Sequence, residues 1–216
     1  MRSKFDEQLL ELNQEMTKMG NKIIKSINNT IVALSSKDEE KAKKIMEGDV
    51  EINRLQKKIE SICFDLLIQQ QPVARDLRAV TAAMKMVTDM ERIGDHAADI
   101  SELTILMGQD SEIEKFDHIS KMASETMLML NQSVEAYVEK DVDMAEDVIA
   151  HDDIVDALFN KARQDVIQMI LDNPEEGAEA TDILMIAKYF ERIGDHATNI
   201  AEWVIFSLNK NPEEQV

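Results

Sequence analysis

The sequence predicts an all-α protein made of two tandem three-helix bundles related by an internal repeat. Three observations carry this. Apolar residues recur at three- and four-residue spacing along nearly the whole chain of 216 residues. Turn formers are scarce, with 6 Gly and 3 Pro, while Met is abundant at 14 and aromatics make up only 4%, a balance that suits long helices with pliable aliphatic interiors. The heptapeptide Glu91-Arg92-Ile93-Gly94-Asp95-His96-Ala97 also returns unchanged one hundred residues later, as Glu191 to Ala197.

The first helix is expected over about 5–34, with Leu9, Leu12, Met16, Met19, Ile23, Ile27, Ile31 and Leu34 on one face and Ser35-Ser36 as its interruption. Ser36 and Glu39 read as a capping box opening a second helix, which runs to about Gln70 and is expected to kink near Gly48. Pro72 fits the first turn of a third helix, which carries the heptapeptide and fades at Gly108-Gln109-Asp110-Ser111. The second half repeats the plan over about 112–139, 141–172 and 178–208, with a turn at 172–177. At an offset of 103, Met19 matches Met122, Ala33 matches Ala136, Lys37-Asp38 matches Lys140-Asp141, Ala42 matches Ala145 and Asp49 matches Asp152. The offset falls to 100 by the third helix, so three residues are lost near the Pro72 and Pro174 turns. The repeats are placed at 1–108 and 111–210.

A net charge of -19 disfavours nucleic acid and anionic membrane surfaces as partners and favours cations and basic protein surfaces. The single cysteine, Cys63, lies between Ile62 and Phe64 and reads as a buried hydrophobe in a reducing, cytoplasmic setting. The N-terminus has no apolar signal core, and no apolar run approaches the roughly 20 residues of a membrane span.

Chemistry concentrates on the repeated segment. With Glu91 at zero on a helical wheel, Asp95, Asp99 and Glu102 fall at about 40°, 80° and 20°. Met90, Ile93, Ala97 and Ile100 lie opposite, on the core side. In the second copy Glu191, Asp195, Asn199 and Glu202 oppose Phe190, Ile193, Ala197, Ile200 and Val204. Both stripes are read as outward-facing. Like charges four apart cost about 0.2–0.5 kcal/mol per pair, and on their own helix only Arg92 and His96 are read as near enough to relieve the first stripe. Gly94 and Gly194 each cost about 1 kcal/mol against Ala within a helix, which points to close backbone approach. On the second helix of each half, Asp49 precedes Asn53 by four and Asp152 precedes Asp156 by four, with Asp153 beside them. Facing carboxylate stripes repel unless cations sit between them. The candidate metal ligands are therefore Asp49, Glu91, Asp95, Asp99, Asp152, Asp156, Glu191 and Asp195.

An all-oxygen set of this kind suits Mg, Ca, Mn or iron over structural zinc. The residues three before His96, His118, His151 and His196 are Ile93, Lys115, Val148 and Ile193. The Glu-x-x-His pattern of di-iron bundles is thus missing. His96 and His196 sit at the edge of the core face and read as histidines packed between helices. There is no phosphate-cradling glycine loop, no Ser or Cys triad and no cofactor fingerprint. A carboxylate-bridged metal-dependent enzyme and a plain helical scaffold with solvated acids are the alternatives to a regulator with cation sites.

Two copies of Glu-Arg-Ile-Gly-Asp-His, followed by Ile100 and by Ile200-Ala201-Glu202, together with Gln71-Pro72-Val73-Ala74-Arg75-Asp76-Leu77-Arg78, make the chain resemble the PhoU family across its length. These proteins are regulators associated with the bacterial phosphate-specific ABC transporter. The resemblance implies paired three-helix bundles and Glu/Asp-x-x-x-Asp motifs that hold multinuclear metal clusters, with iron in some members. The matching pairs here are Glu91 with Asp95, Asp95 with Asp99, Glu191 with Asp195, and Asp152 with Asp156. Asn53 and Asn199 depart from the pattern and make the copies unequal. The resemblance further implies a cytoplasmic, non-enzymatic negative regulator of phosphate uptake and of the phosphate-starvation response. Its implied partners are the transporter's ATPase subunit, a membrane sensor kinase and a second copy of itself.

Overall fold

The corner between the first two helices of each repeat explains several of the matches at offset 103. In this computed structural model, which describes residues 2–70, 72, 74–109, 111, 113 and 116–208, α1 spans Arg2–Ser36 and α2 spans Glu39–Gln70. Between them Lys37 adopts a left-handed conformation, φ 53°. The Lys37 amide then donates to the Leu34 carbonyl at 3.4 Å and the Asp38 amide to the Ala33 carbonyl at 2.9 Å. This is a Schellman closure that satisfies the last carbonyls of α1. Asp38 in turn caps α2, its Oδ1 accepting from the Lys41 amide at 2.9 Å.

The second repeat reproduces this corner between α4 (Asp117–Glu139) and α5 (Val142–Asp172). Lys140 has φ 58°, the Asp141 amide reaches the Ala136 carbonyl at 3.0 Å, and Asp141 Oδ1 accepts from the Met144 amide at 3.0 Å. Ala33, Ala42, Ala136 and Ala145 are fully buried. Small side chains fit there because consecutive helices converge.

The helix cap is thus Asp38, and the expected capping box at Ser36 does not form. The Ser35 and Ser36 hydroxyls bond back to the Ile31 and Val32 carbonyls, each at 2.7 Å, so α1 runs through them. α2 is unbroken at Gly48. α3 spans Ala74–Met107, which leaves Pro72 ahead of the helix; its neighbours Gln71 and Val73, quoted above, lie outside the described residues. Gly108, at φ 67°, ends α3. α4 begins at Asp117, later than expected, and the expected positions Asp110, Glu112 and 209–210 lie outside the described residues. α6 covers Gly177–Leu208 after a 3-10 turn at Pro174–Glu176.

Helices α1 to α3 pack on one another, as do α4 to α6, and the repeats join along α3 against α6 and α1 against α4. A Cβ on Gly20 of α1 would lie 2.7 Å from Val134 Cγ1 of α4. Nearby, Tyr137 Oη donates to Asn13 Oδ1 at 2.7 Å. The buried apolar residues form one cluster running through both repeats. Cys63 lies within it, fully covered, and burial pushes its thiol up to about 12. No described helix is long and apolar enough to cross a membrane.

Candidate functional site

Each repeat sets an aspartate of its second helix over the motif glycine of its third. In the first repeat a Cβ on Gly94 would meet Asp49 Oδ1 at 3.2 Å and Ile52 Cδ1 at 2.9 Å. Asp49 Oδ2 accepts from Asn53 Nδ2 at 2.6 Å, whereas its Oδ1 is buried without a hydrogen-bond partner. Burial raises the Asp49 carboxyl above its ordinary range. The charges of Asp95 and Asp99 add to this, and Asn53 opposes it. Glu91 is raised in the same way, by burial first and by Asp95 next, with Arg92 opposing. Arg92 Nη1 holds Asp95 Oδ2 at 3.0 Å and Arg92 Nε stands 3.6 Å from Glu91 Oε2.

In the second repeat Asp152 Oδ1 stands 3.5 Å from the Cβ position of Gly194, a looser fit. Burial raises Asp152, and Asp156 and Glu191 raise it further. The Thr198 hydroxyl eases that charge but makes no hydrogen bond of normal geometry. Asp195 is pushed up to about 6, by dehydration first and then by Glu191, Asp152 and Asp156 against Lys188.

Several sequence expectations change here. The stripes are not simply outward-facing: the Glu91 side chain is only 15% exposed and that of Glu191 13%, because α2 and α5 cover their flanks. The second stripe has its own counter-charge, since Lys188 bonds both carboxylate oxygens of Glu191 while its ammonium lies 5.2 Å from the Phe159 ring centroid. Lys188 stands three residues before Glu191, where its mate in the first repeat is Thr88. Asp99 turns toward His96 Nδ1, at 3.2 Å. Asn199 Nδ2 donates across the repeats to Asp89 Oδ1 at 3.0 Å.

Asp89, which no sequence motif marks, borders this site. It also binds His196 Nδ1 at 2.8 Å. Its repeat mate, Tyr189, places its ring 5.3 Å from that of His96. His96 and His196 stack with centroids 5.7 Å apart. Each histidine therefore faces residue 89 or 189 of the opposite repeat, a two-fold-like pairing along α3 and α6. His96 is 7% exposed. Burial lowers its imidazole below the ordinary range, against the pull of Asp99, so the packed role expected for it holds. A groove beside the pair is lined by Arg92, Asp95, His96, Asp99, Arg192 and His196.

As cation ligands the carboxylates supply hard oxygens from two helices, and Asp49 Oδ1 is a buried oxygen in need of a partner, so the donor chemistry fits a hard metal ion. Among the described residues, no three His, Cys, Asp or Glu side chains already converge closely enough to hold one.

These features define a duplicated three-helix-repeat protein whose halves pair through their third helices and carry carboxylates in matching helix–helix grooves. The PhoU domain matches residues 16–104 and 119–204. The chain belongs to the PhoU family. It is 35% identical over 205 residues to a phosphate-specific transport system accessory protein PhoU homolog of Clostridium acetobutylicum, covering 94% of each chain. It is 32% identical over 214 residues to the homolog of Borreliella burgdorferi, covering 95% of each. A crystal structure of PhoU from Pseudomonas aeruginosa superposes with a TM-score of 0.91 at 29% identity, covering 94% of this chain and 98% of that one.

Proposed function

We propose that this chain is a cytoplasmic accessory regulator of phosphate uptake that restrains the phosphate ABC transporter and the phosphate-starvation response. It acts through the transporter's ATPase subunit and a membrane sensor kinase, as a homodimer and without catalysing a reaction. The observation that carries this is the match of both repeats, nearly end to end, to relatives named as phosphate transport accessory proteins. The charge of -19 suits basic protein surfaces. Deleting the gene should derepress phosphate uptake, and the purified chain should retain the ATPase subunit in a pull-down. Unchanged phosphate control in the deletion strain would sink the reading.

Cations belong to the same proposal. Asp49 with Glu91, Asp95 and Asp99 would hold one group of ions, and Asp152 with Asp156, Glu191 and Asp195 the other. Side-chain rotation in the α2/α3 and α5/α6 grooves would complete each set. Iron, Mg and Mn all suit such oxygens, and the ion's charge would relieve the repulsion that raises Asp49 and Asp195. Elemental analysis of protein purified without chelator or nickel resin should find metal. The Asp95→Asn/Asp195→Asn variant should lose most of it while keeping its helical circular dichroism. Metal-free wild-type protein would leave a plain helical scaffold.

A further inference from the structure

A second, chemically distinct cleft of about 340 Å³ lies between α1 and α2. That volume falls within the roughly 300–1,000 Å³ of small-ligand sites. Lys22 and Lys25 line it from α1, and Lys41 and Lys44 from α2, over a floor that includes Ile45 and Ile52. Four lysines meeting in one cleft is notable where 24 basic residues face 43 acidic ones. Lys22 is engaged by Glu51. The ammonium groups of Lys25, Lys41 and Lys44 make no hydrogen bond or ion pair among the described residues, so three positive charges stand uncommitted. Asn29 and Ser26 add neutral hydrogen-bonding groups to the same wall.

The second repeat shows what a closed version of this place looks like. At offset 103 the mates of Lys22, Lys25, Lys41 and Lys44 are Glu125, Leu128, Met144 and Asp147, and the mate of Gly48 is His151. His151 Nε2 pairs with Glu125 at 2.6 Å, joining the two helices where the first repeat has Lys22 and Gly48. A Cβ on Gly48 would meet nothing within 4 Å. Packing therefore gives no reason for a glycine in mid-helix, which costs about 1 kcal/mol against Ala. Gly48 leaves its wall of the cleft open.

We propose that this cleft binds a soluble oligophosphate, a ligand with two or more linked phosphate groups. Ammonium groups on flexible stems follow spread negative charge without demanding one planar geometry, and three uncommitted ones suit a polyanion better than a monoanion. The two sites border each other only at Ile52, which lines the cleft and also packs on Gly94, and none of the cleft's lysines belongs to the carboxylate grooves.

Inorganic triphosphate titrated calorimetrically into the full chain, in EDTA to remove divalent metal and at physiological salt, provides the test. Saturable one-to-one binding is expected, tighter than for orthophosphate or sulfate, with a rise in melting temperature by mass action. The Lys25→Ala/Lys41→Ala/Lys44→Ala variant should bind at least about tenfold more weakly, given the strength of charge-assisted hydrogen bonds. Lys22→Glu with Gly48→His, which transplants the pair already seated in the second repeat, should abolish binding while preserving the fold. Lys121→Ala with Lys161→Ala, both exposed on the second repeat, should bind as wild type does. Absence of saturable binding, full affinity in either cleft variant, or an equal loss in the Lys121/Lys161 control overturns the proposal.

Discussion

Gly94 lies directly beneath Asp49: a methyl group added to its α-carbon would stand 3.2 Å from the carboxylate and 3.1 Å from Ile52 Cγ2. The corresponding approach of Gly194 to Asp152 is 3.5 Å, with Val155 at the same distance. One repeated residue thus meets two degrees of crowding.

Gly194→Ala should stabilise the protein by about 0.5–1 kcal/mol, the helix-propensity gain over glycine. Gly94→Ala should forfeit that gain to overpacking, which costs about 1–3 kcal/mol in a filled core. Urea unfolding of the two variants checks the contrast, and equal effects would show that Asp49 and Ile52 yield freely.

Asp195 supplies a pH prediction. Its carboxyl is pushed up to about 6 in the fold, against about 3.9 in an unfolded chain. Between those values the folded state holds the proton more firmly, so this group's contribution to stability falls as pH rises and levels off above about 6. Asp195→Asn should therefore be more stable than wild type at pH 7.5 in chelator, with the advantage fading as pH drops toward 4. Urea midpoints across that range decide it; a variant less stable at pH 7.5 contradicts the sign. A bound cation should shrink the advantage by stabilising the carboxylate of the wild type.

The seam between the repeats depends on Asp89, whose side chain is 14% exposed. Asp89→Ala leaves His196 Nδ1 and Asn199 Nδ2 without their acceptor and should cost about 1–3 kcal/mol. Combining it with Asn199→Ala should cost less than the sum of the single changes, since both remove the same bond. Strict additivity would place the stabilising role of Asp89 elsewhere.

Backbone strain separates the two lysine corners. Left-handed geometry costs a non-glycine residue about 1–2 kcal/mol, so Lys140→Gly should stabilise the fold by about 1 kcal/mol. Lys37 is different: its ammonium donates to the Gln109 carbonyl at 3.2 Å and also to that of Ser111. Lys37→Gly should gain little or nothing, because those ties to the end of α3 are lost. Thermal melts of the pair measure the difference.

The duplicated bundle was legible because periodicity and the repeated segment are one-dimensional signals. The wheel placed Ile93, Ala97, Ile193 and Ala197 on the core side, and all are fully buried. It could not show that the opposite face is partly covered, since a wheel knows one helix and not which neighbour overhangs its flank. Hence a wheel alone leaves Glu91 and Glu191 open to solvent, where α2 and α5 in fact cover them. Lys188 carries no signal in the repeat, because the first copy has Thr88 at that place. Asn199 read as a lost ligand because its acceptor, Asp89, is 110 residues away in sequence. Only packing of α3 on α6 brings the two together.

Along the α3–α6 seam, one side of the axis offers aspartate to a histidine and the other offers tyrosine. The chain is built like a dimer of equals, yet its axis has a handed sense. A molecule docking across it meets two distinguishable flanks and seats in one rotational setting instead of two equivalent ones. Fusing the copies thus gave this surface a direction that a symmetric pair of separate bundles could not have.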